Sequence, residues 1–304
     1  MFKGCGTALV TPFAEDGSLD EAALRRLVRR QVRGGVHFLV PGGTTGESPT
    51  LSHSEHLRLV EVTLEEAGPA PVVAGCGGYD TASVCRLARD LARLGAQGLL
   101  SVTPYYNKPT RQGLFEHYSA IASATDLPII VYNVPGRTSC NVQPDLLRRL
   151  ADLETVVGVK EASGNIAQMG QACQLAPPGF AVLSGDDSVT LPLMALGGSG
   201  VISVVSNEVP GPMARLCERA LAGDFAGARE LHRRYLALMD ANFCETSPGP
   251  VKVALELMGV LDEARYRLPM TRPSDASCAH LARVLSDLGL LADTGVGVSP
   301  GEQD

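Results

Sequence analysis

The segment VVGVKEASG, residues 156–164, carries a single lysine, Lys160, at the end of an apolar run. Lysine is scarce in this chain: the 26 basic residues comprise 22 arginines and four lysines, Lys3, Lys108, Lys160 and Lys252. A guanidinium cannot shed its proton near neutral pH, whereas an ammonium taken out of water can. At a pKa of ~10.4 the neutral amine is disfavoured at pH 7 by roughly 4.6 kcal/mol, and burial removes most of that penalty. A neutral amine facing a carbonyl forms an imine, and the protonated imine is an electron sink for enamine chemistry. The competing reading of Lys160 is a side chain that snorkels from a strand end or pairs with Glu161.

Other polar residues close other apolar runs. Tyr132 ends PIIVYNVP and is suited to shuttle a proton if a hydroxyl relay lowers its effective pKa from ~10, or else it simply packs. Thr44 and Thr45 lie in PGGTTGES, where exposed N–H groups and hydroxyls hold a carboxylate or merely make a tight turn. The acidic SGDDS stretch argues against a phosphosugar substrate. His53 and His56 stand three apart in SHSEH, but no third ligand or HExxH context accompanies them, so no metal site is expected.

These residues need elements to hold them. Eight short β-branched runs recur: GTALVTPF from 6, VHFLVPGG from 36, PVVAGC from 71, GLLSVTP from 98, PIIVYNVP from 128, TVVGVKEAS from 155, FAVLSGDD from 180 and GVISVVSN from 200. Their apolar character is continuous rather than alternating, as for strands covered on both faces. The segments between them, such as DEAALRRLVRRQVRGG and TASVCRLARDLARLGA, have apolar residues every three or four positions and end in glycine, as helices do. The pattern predicts an α/β fold, a (β/α)8 TIM barrel over residues 1–224 with a C-terminal helical appendage over 225–292. The Gly- and Pro-rich end, 293–304, is expected to be disordered. A doubly wound open sheet would require a phosphate fingerprint, and neither GxGxxG nor GxxxxGK[ST] occurs.

Composition narrows the function classes. With 304 residues, 45% hydrophobic and 19% charged, the chain can bury a sizeable core. A net charge of −7, with arginines spread along helical patterns, disfavours nucleic acid and anionic membranes as partners. The eight cysteines show no CxxC pair and sit mostly in apolar runs, as reduced cytoplasmic thiols do. No signal-peptide pattern and no apolar stretch of roughly 18 residues is present, so neither secretion nor membrane insertion is expected.

Taken in order, GGTTGES, TPYYNKP, YNVPGRT, GVKEASG and GVISVVSN resemble the strand-end motifs of the pyruvate-dependent class I aldolase superfamily, and within it the dihydrodipicolinate synthase family. The resemblance covers residues 3–270. It implies condensation of pyruvate with L-aspartate 4-semialdehyde to 4-hydroxy-tetrahydrodipicolinate, in the diaminopimelate route to lysine. Lys160 would form the Schiff base, with no cofactor beyond that covalent imine. Tyr132 would give and take protons, with Thr44 and Tyr106 as relay partners, Tyr106 arriving from a neighbouring subunit. Thr45 would hold the pyruvate carboxylate, Ile202 would supply a backbone contact, and Arg137 would bind the semialdehyde carboxylate. A cytoplasmic homotetramer, a dimer of dimers, is implied.

Sister members that cleave sugar-derived keto acids, N-acetylneuraminate lyases and 2-keto-3-deoxygluconate aldolases, share the lysine and tyrosine but do not usually carry the arginine. A bidentate guanidinium suits a second carboxylate, although an arginine here could also brace its loop. Two departures stand out. SPGPVK, with Ser247 and Gly249, replaces the usual NPxPVK and is expected to alter packing. Tyr79 and Ser83 replace the Asn and Glu of lysine-inhibited members, so feedback inhibition by lysine is not expected.

Overall fold

The computed structural model describes residues 2–292. Seven of the eight runs contain a strand and the first overlaps one that begins two residues earlier: β1 (Gly4–Ala8), β2 (Phe38–Val40), β3 (Val73–Gly75), β4 (Gly98–Val102), β5 (Ile129–Asn133), β6 (Val156–Glu161), β7 (Ala181–Ser184) and β8 (Gly200–Ser203). They run in the order β2-β1-β8-β7-β6-β5-β4-β3, and every paired neighbour is parallel. A bridge between Leu39 and Val72 brings the two ends together. Across that seam Leu39 donates to the Pro71 carbonyl and Gly75 to the Pro41 carbonyl, each at 2.8 Å. With helices between successive strands, this is the (β/α)8 barrel that the sequence pattern predicts.

The continuous apolar runs conceal a period of two, because successive side chains leave opposite faces of a strand. Ala8, Val40, Leu100, Ile130, Leu183 and Ile202 turn inward and fill the barrel. Their neighbours Leu39, Leu99, Ile129, Val131, Val159 and Val182 turn outward into the layer under the helices. Both faces are dry, so neither needs polar residues until a strand reaches the mouth.

Local capping starts the helices in the right places. Ser52 opens His53–Glu66 with a capping box, its hydroxyl accepting from Glu55 while the Glu55 carboxylate accepts from Ser52 N–H. Asp80 and Asn165 cap Thr81–Leu94 and Ile166–Leu175 through their side-chain oxygens. Gly95, at φ +93°, ends the former in a left-handed turn that a side chain would strain. Beyond the barrel, helices Phe225–Ala241, Gly249–Leu257 and Asp275–Asp287 bury Tyr235, Leu238, Val253 and Leu281 in a second apolar cluster with Met213 and Leu216.

Residues 293–304, expected from composition to be disordered, lie outside the described residues. No helix among the described residues is long and apolar enough to cross a membrane. All eight cysteines are free thiols.

Candidate active site

Parallel pairing of β5 with β6 sets Tyr132 opposite Lys160. Lys160 is only 4% exposed, and its Nζ lies 4.4 Å from the centroid of the Tyr132 ring. Gly185, in the turn after β7, makes room for the lysine: a Cβ there would come within 3.2 Å of Lys160 Cγ and Cε and 2.6 Å of Ala162 Cβ. The pairing of Lys160 with Glu161 does not occur, because strand alternation sends the two side chains to opposite faces. Glu161 instead accepts from Asn133 Nδ2 at 2.9 Å and from Ser163 N–H at 2.7 Å. Asn133 in turn accepts from Val142 N–H at 2.9 Å, which ties the ends of β5 and β6 together behind the lysine. Lys160 has no carboxylate partner within ion-pair distance among the described residues.

Opposite stands the turn that carries the threonines. Its backbone is folded on itself: Gly46 donates to the Gly43 carbonyl at 3.1 Å and Glu47 to the Thr44 carbonyl at 3.0 Å. Thr11 Oγ1 donates to the Gly46 carbonyl at 2.6 Å. Gly42, at φ +66°, and Gly75 allow the turn to lie directly on β3, since a Cβ on Gly75 would fall 1.9 Å from the Gly42 oxygen.

Thr44, Tyr132 and Arg137 line one cavity of about 460 Å³ at the barrel mouth. Thr45 is buried beside Thr44 in the turn, and Ile202 is fully buried in the barrel interior with Tyr132. Arg137 is exposed, donates from Nη2 to the Ser247 carbonyl at 3.2 Å, and has no carboxylate partner among the described residues. It therefore braces a loop with one nitrogen and presents unpaired donors to the cavity. The cavity runs outward past Tyr105 to His53, His56, Tyr79 and Ser83. There the two histidines diverge. Buried His56 donates from Nε2 to the Gly75 carbonyl at 2.8 Å, while exposed His53 faces Asp90 at 3.0 Å. Burial holds the His56 imidazole below its ordinary pKa, which keeps it a neutral donor.

Tyr106 is not brought to this cavity by its own chain. It is 91% exposed with a left-handed backbone at φ +71°, an unusual state for a tyrosine. Its neighbour Tyr105 lines the cavity instead, edge-on to Tyr79 with ring centroids 5.4 Å apart. The acidic stretch after β7 also has a structural occupation. Asp187 is buried and accepts from Val204 and Val205 N–H at 2.9 and 3.0 Å, so the backbone donors after β8 that a phosphate would need are already used. Burial raises its carboxyl pKa, and Oδ1 has no hydrogen-bond partner among the described residues.

The sequence motifs do not single out Gly185, Asn133, Asp187, or the contact of Glu47 with Lys252. Lys252 alone had a visible signal, the same scarcity of lysine that singles out Lys160.

The chain matches the dihydrodipicolinate synthetase family over residues 1–288. A 4-hydroxy-tetrahydrodipicolinate synthase from Acidobacterium capsulatum is 49% identical over 97% of this chain and 98% of its own. The dihydrodipicolinate synthase structure from Thermotoga maritima superimposes with a TM-score of 0.93 at 48% identity, covering 96% of this chain and all of that one. A chloride-inhibited dihydrodipicolinate synthase from Acinetobacter baumannii, complexed with pyruvate, gives a TM-score of 0.93 at 39% identity over 96% of this chain and 100% of that one. Motifs, barrel and near-complete alignment agree, and the chain belongs to the dihydrodipicolinate synthetase family.

Proposed function

We propose that the protein is a 4-hydroxy-tetrahydrodipicolinate synthase, a lyase that condenses pyruvate with L-aspartate 4-semialdehyde through an imine on Lys160. The observation that carries this reading is the buried Lys160 amine, in register with Tyr132 and paired with no carboxylate among the described residues. Neutral Lys160 adds to the ketone carbon of pyruvate, and loss of water from the adduct gives the imine. Tyr132, whose ring centroid lies 4.4 Å from Nζ, delivers and recovers the protons of that dehydration in this reading. Loss of a methyl proton turns the imine into an enamine, whose carbon attacks the aldehyde of the second substrate. The amino group of that substrate then displaces Lys160 from the imine carbon and closes the six-membered ring. The balance is one water released and the free lysine restored, with no cofactor called upon.

Three groups handle the carboxylates and the relay. The Thr44–Thr45 turn receives the pyruvate carboxylate, with Ile202 contributing backbone. Arg137, with donors free toward the cavity, takes the carboxylate of the semialdehyde. Thr44 passes protons between Tyr132 and Tyr106. The exposed, strained Tyr106 is explained if it reaches into the site of a neighbouring subunit, as in a homotetramer built from dimers. Eight free thiols suit a reducing cytoplasm.

Borohydride reduction in the presence of pyruvate tests the imine: a stable mass increase on Lys160 is expected, and an unmodified Lys160 sinks the reading. Steady-state turnover with pyruvate and the semialdehyde, set against cleavage of sialic acid and ketodeoxygluconate, distinguishes this synthase from its sister aldolases.

A further inference from the structure

Glu47 lies at the end of the threonine-bearing turn, and Lys252 lies on the helix Gly249–Leu257 of the C-terminal region. Their side chains form an ion pair that is 0% exposed on the lysine side and 1% on the glutamate side. Lys252 Nζ also donates to the Arg265 carbonyl at 2.7 Å and lies 4.4 Å from the Phe13 ring centroid and 5.2 Å from that of Tyr266. The second carboxylate oxygen of Glu47 accepts from Arg267 N–H at 3.3 Å. Arg267 extends the attachment, donating to the Gly17 and Thr50 carbonyls, each at 2.9 Å.

Stability alone is a poor reason for this arrangement. Glu47 adopts φ +54°, ψ +35°, a left-handed conformation that strains any residue with a side chain. Burial brings the Lys252 ammonium down to about 8 despite the adjoining carboxylate. A buried ion pair of this kind is often no more stabilising than apolar residues of the same size, but it fixes register. What Glu47 fixes is specific: its own N–H donates to the Thr44 carbonyl at 3.0 Å, so the carboxylate anchor and the Thr44 peptide are one hydrogen bond apart.

We propose that Glu47 and Lys252 are positioning residues: their ion pair holds the Thr44–Thr45 turn against the C-terminal helices in the geometry that receives the pyruvate carboxylate. This rests on the reading above that the turn binds that carboxylate. The C-terminal region is thereby part of the active-site scaffold, joined to it by a contact that spans 205 residues of sequence.

The test is the pyruvate concentration that gives half-maximal borohydride trapping on Lys160, measured with kcat and thermal stability. Glu47→Gln keeps the shape and one acceptor oxygen. It is expected to raise the half-saturating pyruvate about 10-fold while kcat at saturation changes less than about 3-fold. Lys252→Met shows the same shift together with a lower melting temperature, because it strands a buried carboxylate. In the double variant Glu47→Gln/Lys252→Met, stability recovers toward wild type but half-saturation stays high. A merely structural pair predicts that both recover together, and that result overturns the proposal, as does wild-type half-saturation in Glu47→Gln. Absence of any pyruvate adduct on the wild-type chain overturns the function reading itself, whereas a normal wild-type adduct with unmoved variants overturns the positioning role alone.

Discussion

Adding one carbon at Gly75 tests whether the position of the threonine turn sets activity. A Cβ at Gly75 would lie 1.9 Å from the Gly42 oxygen, 2.4 Å from the Gly42 carbonyl carbon and 2.9 Å from Gly43 N. All three are backbone atoms, so no rotamer change relieves the contact. Restoring the oxygen to 3.0 Å, the shortest separation real side chains show, demands a retreat of about 1.1 Å by the segment leading into Thr44. A misplacement of about 1 Å in a substrate-positioning group costs on the order of 10²-fold, or about 2.7 kcal/mol in the barrier. Gly75→Ala is therefore expected to lower kcat/KM by about 100-fold, and overpacking adds a stability loss of about 1–3 kcal/mol. The control is Gly200→Ala at the opposite end of the barrel, where a Cβ falls equally close, 1.9 Å, to the Gly4 oxygen. It should destabilise more, because Gly200 also sits at φ +142° where a side chain is strained, yet leave the turnover of the folded fraction near wild type. Coupled turnover assays on both variants, corrected for folded protein by calorimetry, decide the matter. A folded Gly75→Ala enzyme within about 3-fold of wild-type kcat/KM refutes the reasoning.

Arg137→Ala removes about 1.5–3 kcal/mol of charge-assisted hydrogen bonding, so kcat/KM for the semialdehyde should fall 10- to 100-fold while pyruvate trapping on Lys160 persists; equal losses in both reject its assigned role. Tyr106→Phe should slow turnover without unfolding the chain. Wild-type activity should fall on dilution into monomers, and full activity in a sedimentation-proven monomer rules out a tyrosine donated across subunits. His117, whose Nε2 has no partner among the described residues and whose imidazole burial pushes down to about 4, faces Asp80 and Thr81. Between the ordinary pKa of 6.5 and 4 the unfolded chain binds more protons than the native one. Stability is thus complete above 6.5 and falls by about 3 kcal/mol as the pH drops through 4. His117→Gln should flatten that limb in chemical denaturation, and an unchanged limb excludes His117 as its source. Glu55 is held down to about 2 by the hydrogen-bonded Arg267 guanidinium, so its contribution is present above 4.5 and lost as pH falls through 2. Glu55→Gln should remove only its own share of the pH dependence in that lower window, since Glu66, held down to about 2 by Arg29 and Arg25, titrates there too, and denaturation midpoints unchanged from wild type across it exclude the Glu55 contribution.

The strands were legible because a strand covered on both faces writes its burial directly into consecutive residues, and every one of the eight runs coincides with or overlaps one. Their ends at Tyr132 and Lys160 were legible for the same reason, since polarity returns where the barrel opens. The inward and outward alternation was not visible in those runs, because apolar side chains serve equally in the barrel and under the helices. Glu161 illustrates the limit: adjacency in sequence suggested a partner for the lysine, while pleating placed its carboxylate on Asn133 and Ser163.

By itself the sequence determined the order of the elements, the rarity of lysine and the residue types at each strand end, all set by local pattern and composition. Which of those residues meet was decided only by tertiary structure. Closure of the sheet set Lys160 against Tyr132, a steep approach of Gly75 to Gly42 fixed the threonine turn, and folding of the C-terminal helices brought Lys252 to Glu47. Such contacts depend on strand register and on helix packing across long stretches of chain, and no neighbouring residue in the sequence carries their signal.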